Sequence, residues 1–264
     1  MSLPASDFRL IPIPPAVTDG SALDYHLLPI DTSGAANREP LVEVSSLGIA
    51  HRSAYAQKMA PYYRTFNQAV SVPLLREGVV QRLALVNQAL EPYDVQLLVL
   101  DGYRPVLLQQ ELWDHFIEIA RGKMPDSSDE ELVKFVGQYW SDPRDFNPDD
   151  YRTWPTHITG GAIDLTLQDK LTGQDLFMGG VFDDVDSISS TRYFENPALT
   201  SLSALDARRN RRLLHHAMAI GGFVNYHHEW WHYDFGMQMA IMNGSGAEQA
   251  LYGIAACPLD NLKP

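Results

Sequence analysis

A chain of 264 residues with 45% hydrophobic content carries enough apolar mass to bury a full core, and its length suits a single domain over residues 1–264. Its formal net charge of -13 and pI near 5.0 exclude the broad basic field that draws nucleic acid or anionic lipid, so small-molecule chemistry is the expectation. The only cysteine, Cys257, excludes an intrachain disulfide and a cysteine-rich zinc cluster, which leaves histidine and carboxylate to hold any metal.

The opening MSLPASDFRL has no basic patch followed by a long apolar run, and nowhere do about 18 apolar residues stand together as a membrane span requires. A cytoplasmic protein with no membrane partner is the expectation. Residues 1–45 carry Pro4, Pro12, Pro14, Pro15 and Gly20 among short apolar pieces, which predicts an extended N-terminal segment wrapped around the body. From Pro73, the residues Leu74, Leu75, Val79, Val80, Leu83, Val86 and Leu90 follow helical spacing until Pro92 stops it. Val95–Leu100 then predicts a buried strand that runs into the turn Asp101-Gly102-Tyr103-Arg104-Pro105. Leu107–Ile119 predicts a second helix and Ser128–Trp140 a third, with Ser128 and Glu131 placed as a capping box. A polar loop follows over Asp142–Pro155, then a strand over Ala162–Leu167 and a helix over Leu205–Ile220 that ends at Gly221-Gly222. Phe223–Phe235 is aromatic and β-branched, which favours strand, and the segment after Gly236 shows no pattern. Helices and strands mix without a regular βαβ repeat, so the fold class predicted is α+β, a mainly antiparallel central sheet with packed helices.

The histidines are unevenly placed. His227, His228 and His232 cluster beside Glu229, while His157 stands just before Thr159-Gly160-Gly161-Ala162-Ile163-Asp164. A catalytic zinc takes three protein ligands and keeps a fourth position for water, and imidazole with carboxylate suits it. His157, Asp164 and His232 can supply that set, with Gly160 and Gly161 letting the chain turn between the first two. Glu229, three residues before His232, is then near the metal yet free to take a proton from its water. Trp230 and Trp231 are expected to pack, one in the core and one over the metal residues, and His215 and His216 to be ordinary helix residues.

Three patches resemble the D-alanyl-D-alanine dipeptidases of the VanX type, members of a family of zinc D-Ala-D-Ala peptidases. They are Asp101-Gly102-Tyr103-Arg104-Pro105, then His157-Ile158-Thr159-Gly160-Gly161-Ala162-Ile163-Asp164-Leu165-Thr166-Leu167, and Glu229-Trp230-Trp231-His232-Tyr233. A weaker patch, Met178-Gly179 followed by Phe182-Asp183, falls in order between the last two, and the motifs together span about residues 95–236. The resemblance implies a hedgehog/DD-peptidase-like fold and one zinc ion on His157, Asp164 and His232. It further implies Glu229 as general base and then proton donor, Arg104 as the group that steadies charge on the attacked carbonyl, and Asp183 as acceptor of the substrate's free amino group. The implied partner is a small D-amino-acid dipeptide. Two features depart from the family pattern. Pro155 stands where the family usually has serine, and the family's N-terminal Tyr-Ala-Thr and Asn-Phe pattern finds no clear counterpart between Val42 and Arg64.

Three other readings fit parts of the sequence. One is a D,D-carboxypeptidase acting on peptidoglycan stem peptides. Another is a zinc-bearing binding module without catalysis, against which Glu229 and Arg104 both speak. The third takes His228-Glu229-Trp230-Trp231-His232 as H-E-x-x-H on a helix, with His228 and His232 sharing one face. Its flanks favour strand, and Phe235 stands where the metzincin extension needs glycine.

Overall fold

The computed structural model describes residues 7–17, 25–137 and 139–256, and Pro4, Gly20 and Cys257 lie outside them. Strands β1 (Leu41–Glu43) and β2 (Ala50–His51) precede β3 (Leu74–Arg76) and helix α1 (Glu77–Leu90). The helix expected from Pro73 therefore begins four residues later. Leu74 and Leu75 match its apolar spacing, but their backbone pairs antiparallel with β1, and Arg76 is still extended at φ -54°, ψ 141°. From Glu77 the rest of the pattern holds, and Val79, Val80, Leu83, Val86 and Leu90 are all buried. Each such side chain contributes about 1.5–3 kcal/mol on leaving water.

Strand β4 (Val95–Asp101) leads through the Gly102–Pro105 turn into α2 (Val106–Lys123) and α3 (Asp129–Val136). The capping box expected at Ser128 and Glu131 is present on both sides. The helix stops at Val136 rather than Trp140, with Gly137 as its C-cap, whose amide makes a final helical bond to the Val133 carbonyl. Strand β5 (Ala162–Asp169), helix α4 (Leu202–Ile220, capped by Ser201), strands β6 (Val224–Asn225) and β7 (His232–Asp234) and helix α5 (Gln238–Met242) complete the order. The architecture is a mixed α+β one. Among the described residues no helix is long and apolar enough to cross a membrane.

The main sheet runs β2-β4-β5-β7-β6, with β2 parallel to β4 and the other neighbours antiparallel. Strand β4 is buried along nearly its whole length and reads as a near-continuous apolar run, whereas β5 is buried from Ala162 to Leu167 yet alternates apolar residues with Asp164 and Thr166. Helices α1 and α4 pack on each other, α1 against β4 and α4 against β5. One irregularity bears on the site. Val99 pairs with Leu165 and Asp101 with Asp164, so β4 spends an extra residue, Leu100, where β5 spends none. This bulge brings the Asp101 side chain alongside Asp164.

The N-terminal segment is described over residues 7–17 and from residue 25 onward. Short 3-10 turns at Phe8–Leu10, Tyr25–Leu27 and Ala36–Arg38 punctuate it, and the Phe8–Leu10 turn lies on α4, where His216 Nε2 meets the Ile11 carbonyl at 3.0 Å.

Candidate active site

Asp164 on β5 stands opposite Asp101 on β4 and opposite His232 on β7. Three adjacent strands thus line up three polar side chains in one row. His157 comes from a separate 3-10 turn, Thr156–Thr159, which Gly160 ends in the left-handed region at φ 70°. The positive φ favours glycine here, and a Cβ would fall 2.5 Å from Leu41 Cδ2, so that side chain would have to shift. The ligand-type atoms of His157, Asp164 and His232 lie within 4.8 Å of one another, and all three residues are buried. Among the described residues this is the group suited to a metal ion.

The rings are fixed from behind. His157 Nδ1 is 2.8 Å from the Gly102 carbonyl, which can only accept, so Nδ1 carries the hydrogen and Nε2 presents its lone pair inward, 3.5 Å from Asp164 Oδ2. His232 Nε2 is 3.0 Å from Asp234 Oδ1, leaving Nδ1 to face Asp164 Oδ1 at 2.9 Å. A carbonyl and a carboxylate behind two imidazoles are the partners that orient metal-binding histidines, and two nitrogens with one carboxylate are a donor set that zinc accepts. The residues present fit the metal. Burial, with Arg104 adding to it, pushes His157 down to about 3, keeping the ring neutral as a ligand must be. Burial also disfavours a charged His232, but Asp234 and Asp164 outweigh it and hold the ring well above its ordinary range.

Glu229 does not lie on a strand. The sequence of Phe223–Phe235 favours strand, and the structure gives strand only at its two ends, where β6 and β7 form a hairpin whose turn holds residues 226–231. The turn closes through Glu229 N–H to the Tyr226 carbonyl at 3.0 Å and His232 N–H to the Glu229 carbonyl at 3.3 Å. Asn225 Nδ2 donates to the carbonyls of Glu229 and His232, at 3.0 and 2.9 Å. Three residues spent in a turn bring Glu229 Oε2 to 3.9 Å from His232 Nδ1, which a straight strand would forbid. Burial pushes the Glu229 carboxyl up to about 7. His228 is exposed, its ring beside those of His227 and Tyr226, so the helical H-E-x-x-H pairing is absent. Trp230 and Trp231 both belong to the main core, Trp231 edge-on to Phe182 at 5.5 Å.

Arg104 is buried and makes four hydrogen bonds through its five N–H donors. Its Nε donates to Asp101 Oδ2 at 2.8 Å, one terminal nitrogen to Gln109 Oε1 at 3.0 Å, and the other to Tyr55 Oη at 3.0 Å and Asp164 Oδ2 at 3.2 Å. Burial works against its charge, but Tyr55, Asp101, Asp164 and Asp183 more than offset this and keep it protonated. Asp183 lies across the site in a left-handed conformation, φ 59°, and its Oδ2 accepts from Tyr55 at 2.9 Å and Tyr62 at 2.6 Å. Burial, then the nearby Asp164 carboxylate, raises Asp183 well above the usual carboxylate range. Arg104, His157, Asp164, Asp183, Glu229 and His232 all line one cleft of about 460 Å³.

The family model described as D-Ala-D-Ala dipeptidase matches residues 40–247. The chain belongs to this family. It is therefore a zinc metallopeptidase. The D-alanyl-D-alanine dipeptidase of Synechocystis sp. is 33% identical over 230 residues, covering 81% of this chain and 87% of that one. The D-alanyl-D-alanine dipeptidase of Escherichia coli K12 is 31% identical over 161 residues, or 61% of this chain and 66% of that one. Among solved structures, the vancomycin resistance D,D-pentapeptidase VanY in complex with Zn(II) superposes at 15% identity and TM-score 0.39, over 78% of this chain and 96% of that one.

Within this family member the stretch Val42–Arg64, which offered no clear counterpart to the family pattern, turns out to reach the site. Tyr55 and Tyr62 come from it, with ring centroids 5.5 Å apart, and both hydroxyls meet Asp183. Nothing in their spacing marks them, since residues 52–73, which carry them, have neither helix nor strand. Pro155, in place of the family's usual serine, lines the same cleft.

Proposed function

We propose that the chain hydrolyses D-alanyl-D-alanine or a closely related small D-amino-acid dipeptide, with zinc held by His157 Nε2, the Asp164 carboxylate and His232 Nδ1. The observation that carries this reading is the convergence of those three donors within 4.8 Å, with the Glu229 carboxylate 3.9 Å from His232. Zinc, when bound, acidifies a water and polarises the scissile carbonyl. Glu229 takes the water's proton on its carboxylate and returns it to the leaving amine nitrogen. Arg104, locked by Asp101 and Gln109, holds a permanent positive charge beside the metal residues and steadies the oxygen on which negative charge develops. Asp183 receives the substrate's α-ammonium: Tyr55 and Tyr62 both occupy Oδ2, which leaves Oδ1 for that contact.

The same reading treats the chain as one peptidase domain with the mainly antiparallel, hedgehog/DD-peptidase-like sheet. In its support, a single core cluster collects residues from Val44 to Tyr252. The test is release of free D-alanine from D-Ala-D-Ala by zinc-loaded protein, abolished by a chelator and restored by zinc. N-acetylation of the dipeptide should abolish cleavage. Efficient hydrolysis of the blocked dipeptide would make the chain a D,D-carboxypeptidase and remove Asp183 from the site, and no release from either would leave a zinc-bearing binding module.

A further inference from the structure

Asp183 has no strand or α-helix to hold it, because the chain from Phe177 to Ser190 contains neither. A buried cation takes hold of that loop at three of its carbonyls. Arg211 of α4 is 1% exposed and donates to three carbonyls of the loop: Nε to Met178 at 2.7 Å, and its terminal nitrogens to Ile188 at 2.8 Å and Ser190 at 2.7 Å. These partners lie on either side of Asp183 in the chain. Next to it on α4, Asn210 Nδ2 donates to the Phe177 carbonyl at 2.9 Å. The guanidinium also lies over the Trp230 ring, 5.6 Å from its centroid, and the Trp230 amide donates to the Ser189 carbonyl at 2.9 Å. Trp230 directly follows Glu229, so the loop is referenced to the turn that carries the base.

Among the described residues no carboxylate forms an ion pair with Arg211; its polar partners are carbonyl oxygens. Burying a charge without an acid partner costs stability, and an apolar side chain of similar volume would fill the space more cheaply. What the guanidinium supplies instead is geometry, a rigid planar fork that reaches three acceptors at once. We propose that Arg211 is a positioning residue for substrate recognition: it fixes the Asp183 loop against the Glu229 turn, so that the Asp183 carboxylate meets the α-ammonium. The inference rests on the reading of Asp183 given above.

The test compares D-Ala-D-Ala with N-propionyl-D-alanine, which has the same skeleton without the ammonium, on zinc-loaded full-length protein. The parent should prefer the ammonium-bearing substrate in kcat/KM by about ten- to a hundredfold, the range of a hydrogen bond to a charged group. Asp183→Asn gives the ratio that remains without the acceptor. Arg211→Lys should retain zinc while its preference contracts toward the Asp183→Asn value. A general loosening of the fold would instead lower both substrates by one factor and leave the ratio at the parent value, which would overturn the proposal. If Arg211→Lys fails to fold, Asn210→Ala removes the single bond to Phe177 and should contract the ratio less but in the same direction; an unchanged ratio there is equally fatal. A parent without any preference would refute Asp183 as the ammonium acceptor, a result separate from either variant.

Discussion

Asp164 and His232 face each other across two paired strands, whereas Glu229 and Asp183 sit in a hairpin turn and an irregular loop. The first pair is held by backbone. Sheet hydrogen bonds fix where each strand residue stands, and its side-chain direction follows from the pleat. The second pair is held by side chains reaching for carbonyls: Asn225 for the Glu229 turn and Arg211 for the Asp183 loop. His157 falls between the two kinds, on a 3-10 turn secured by Arg76, whose Nε donates to the Thr159 carbonyl at 2.8 Å. Two of the three proposed metal donors thus stand on paired strands of the main sheet. The groups proposed to handle protons and substrate are mounted on parts whose position depends on a few individual contacts.

The division can be broken most sharply at the metal. Asp164→Ala and His232→Ala should each lose zinc and with it all turnover, while His228→Ala keeps both; metal analysis of the purified variants decides. Zinc retained in Asp164→Ala and lost in His228→Ala would overturn the ligand set. On the turn-borne side, Glu229→Ala should keep zinc yet lose about three powers of ten in kcat, the scale of general base catalysis. Equal zinc loss in that variant would make Glu229 a ligand. Arg104→Ala should cost about two to three powers of ten in kcat and kcat/KM together, as removal of an oxyanion donor does. A change confined to KM would move Arg104 to ground-state binding.

A smaller effect concerns pH. The base works as carboxylate, and burial pushes the Glu229 carboxyl up to about 7. Activity should therefore fall as pH drops through that region, with kcat/KM losing about tenfold per unit once the proton is on. A bound cation nearby favours the carboxylate, so the midpoint of the zinc enzyme should lie at or below 7. A profile flat down to pH 5, with zinc content followed in the same samples, would remove Glu229 as the base. The smallest effect is on stability. Gly160→Ala places a methyl group against Leu41 at a residue with φ 70° and should cost about 1–3 kcal/mol, read as a lower thermal midpoint. An unchanged midpoint would mean that the His157 turn adapts as freely as the loops do.

Much of the strand-borne half was legible in the sequence. The buried strands β4 and β5, the capping box before α3 and the helices α1, α2 and α4 all follow from local patterns of apolar spacing and turn residues. The proposed metal residues stand beside such landmarks, His157 before a glycine pair and Asp164 within the strand pattern of β5, and the structure brings them together with His232. The first residues of the proposed α1 helix failed because β1 competes for Leu74 and Leu75, a partner more than thirty positions away that no local window includes. Tyr55, Tyr62, Arg76 and Arg211 were missed for a related reason. Their roles consist of contacts to distant loops, and a contact between a side chain and a remote carbonyl leaves no periodic trace.

The row formed by Asp101, Asp164 and His232 also governs which changes of length the molecule can survive. One residue inserted into or deleted from β5 or β7 turns every following side chain to the opposite face, and the row is lost as a whole. Between β5 and α4 no such phase has to be kept, so insertions and deletions there shift Asp183 without touching the metal. A change of loop length there would move the proposed ammonium acceptor while leaving the Asp101, Asp164 and His232 row in phase.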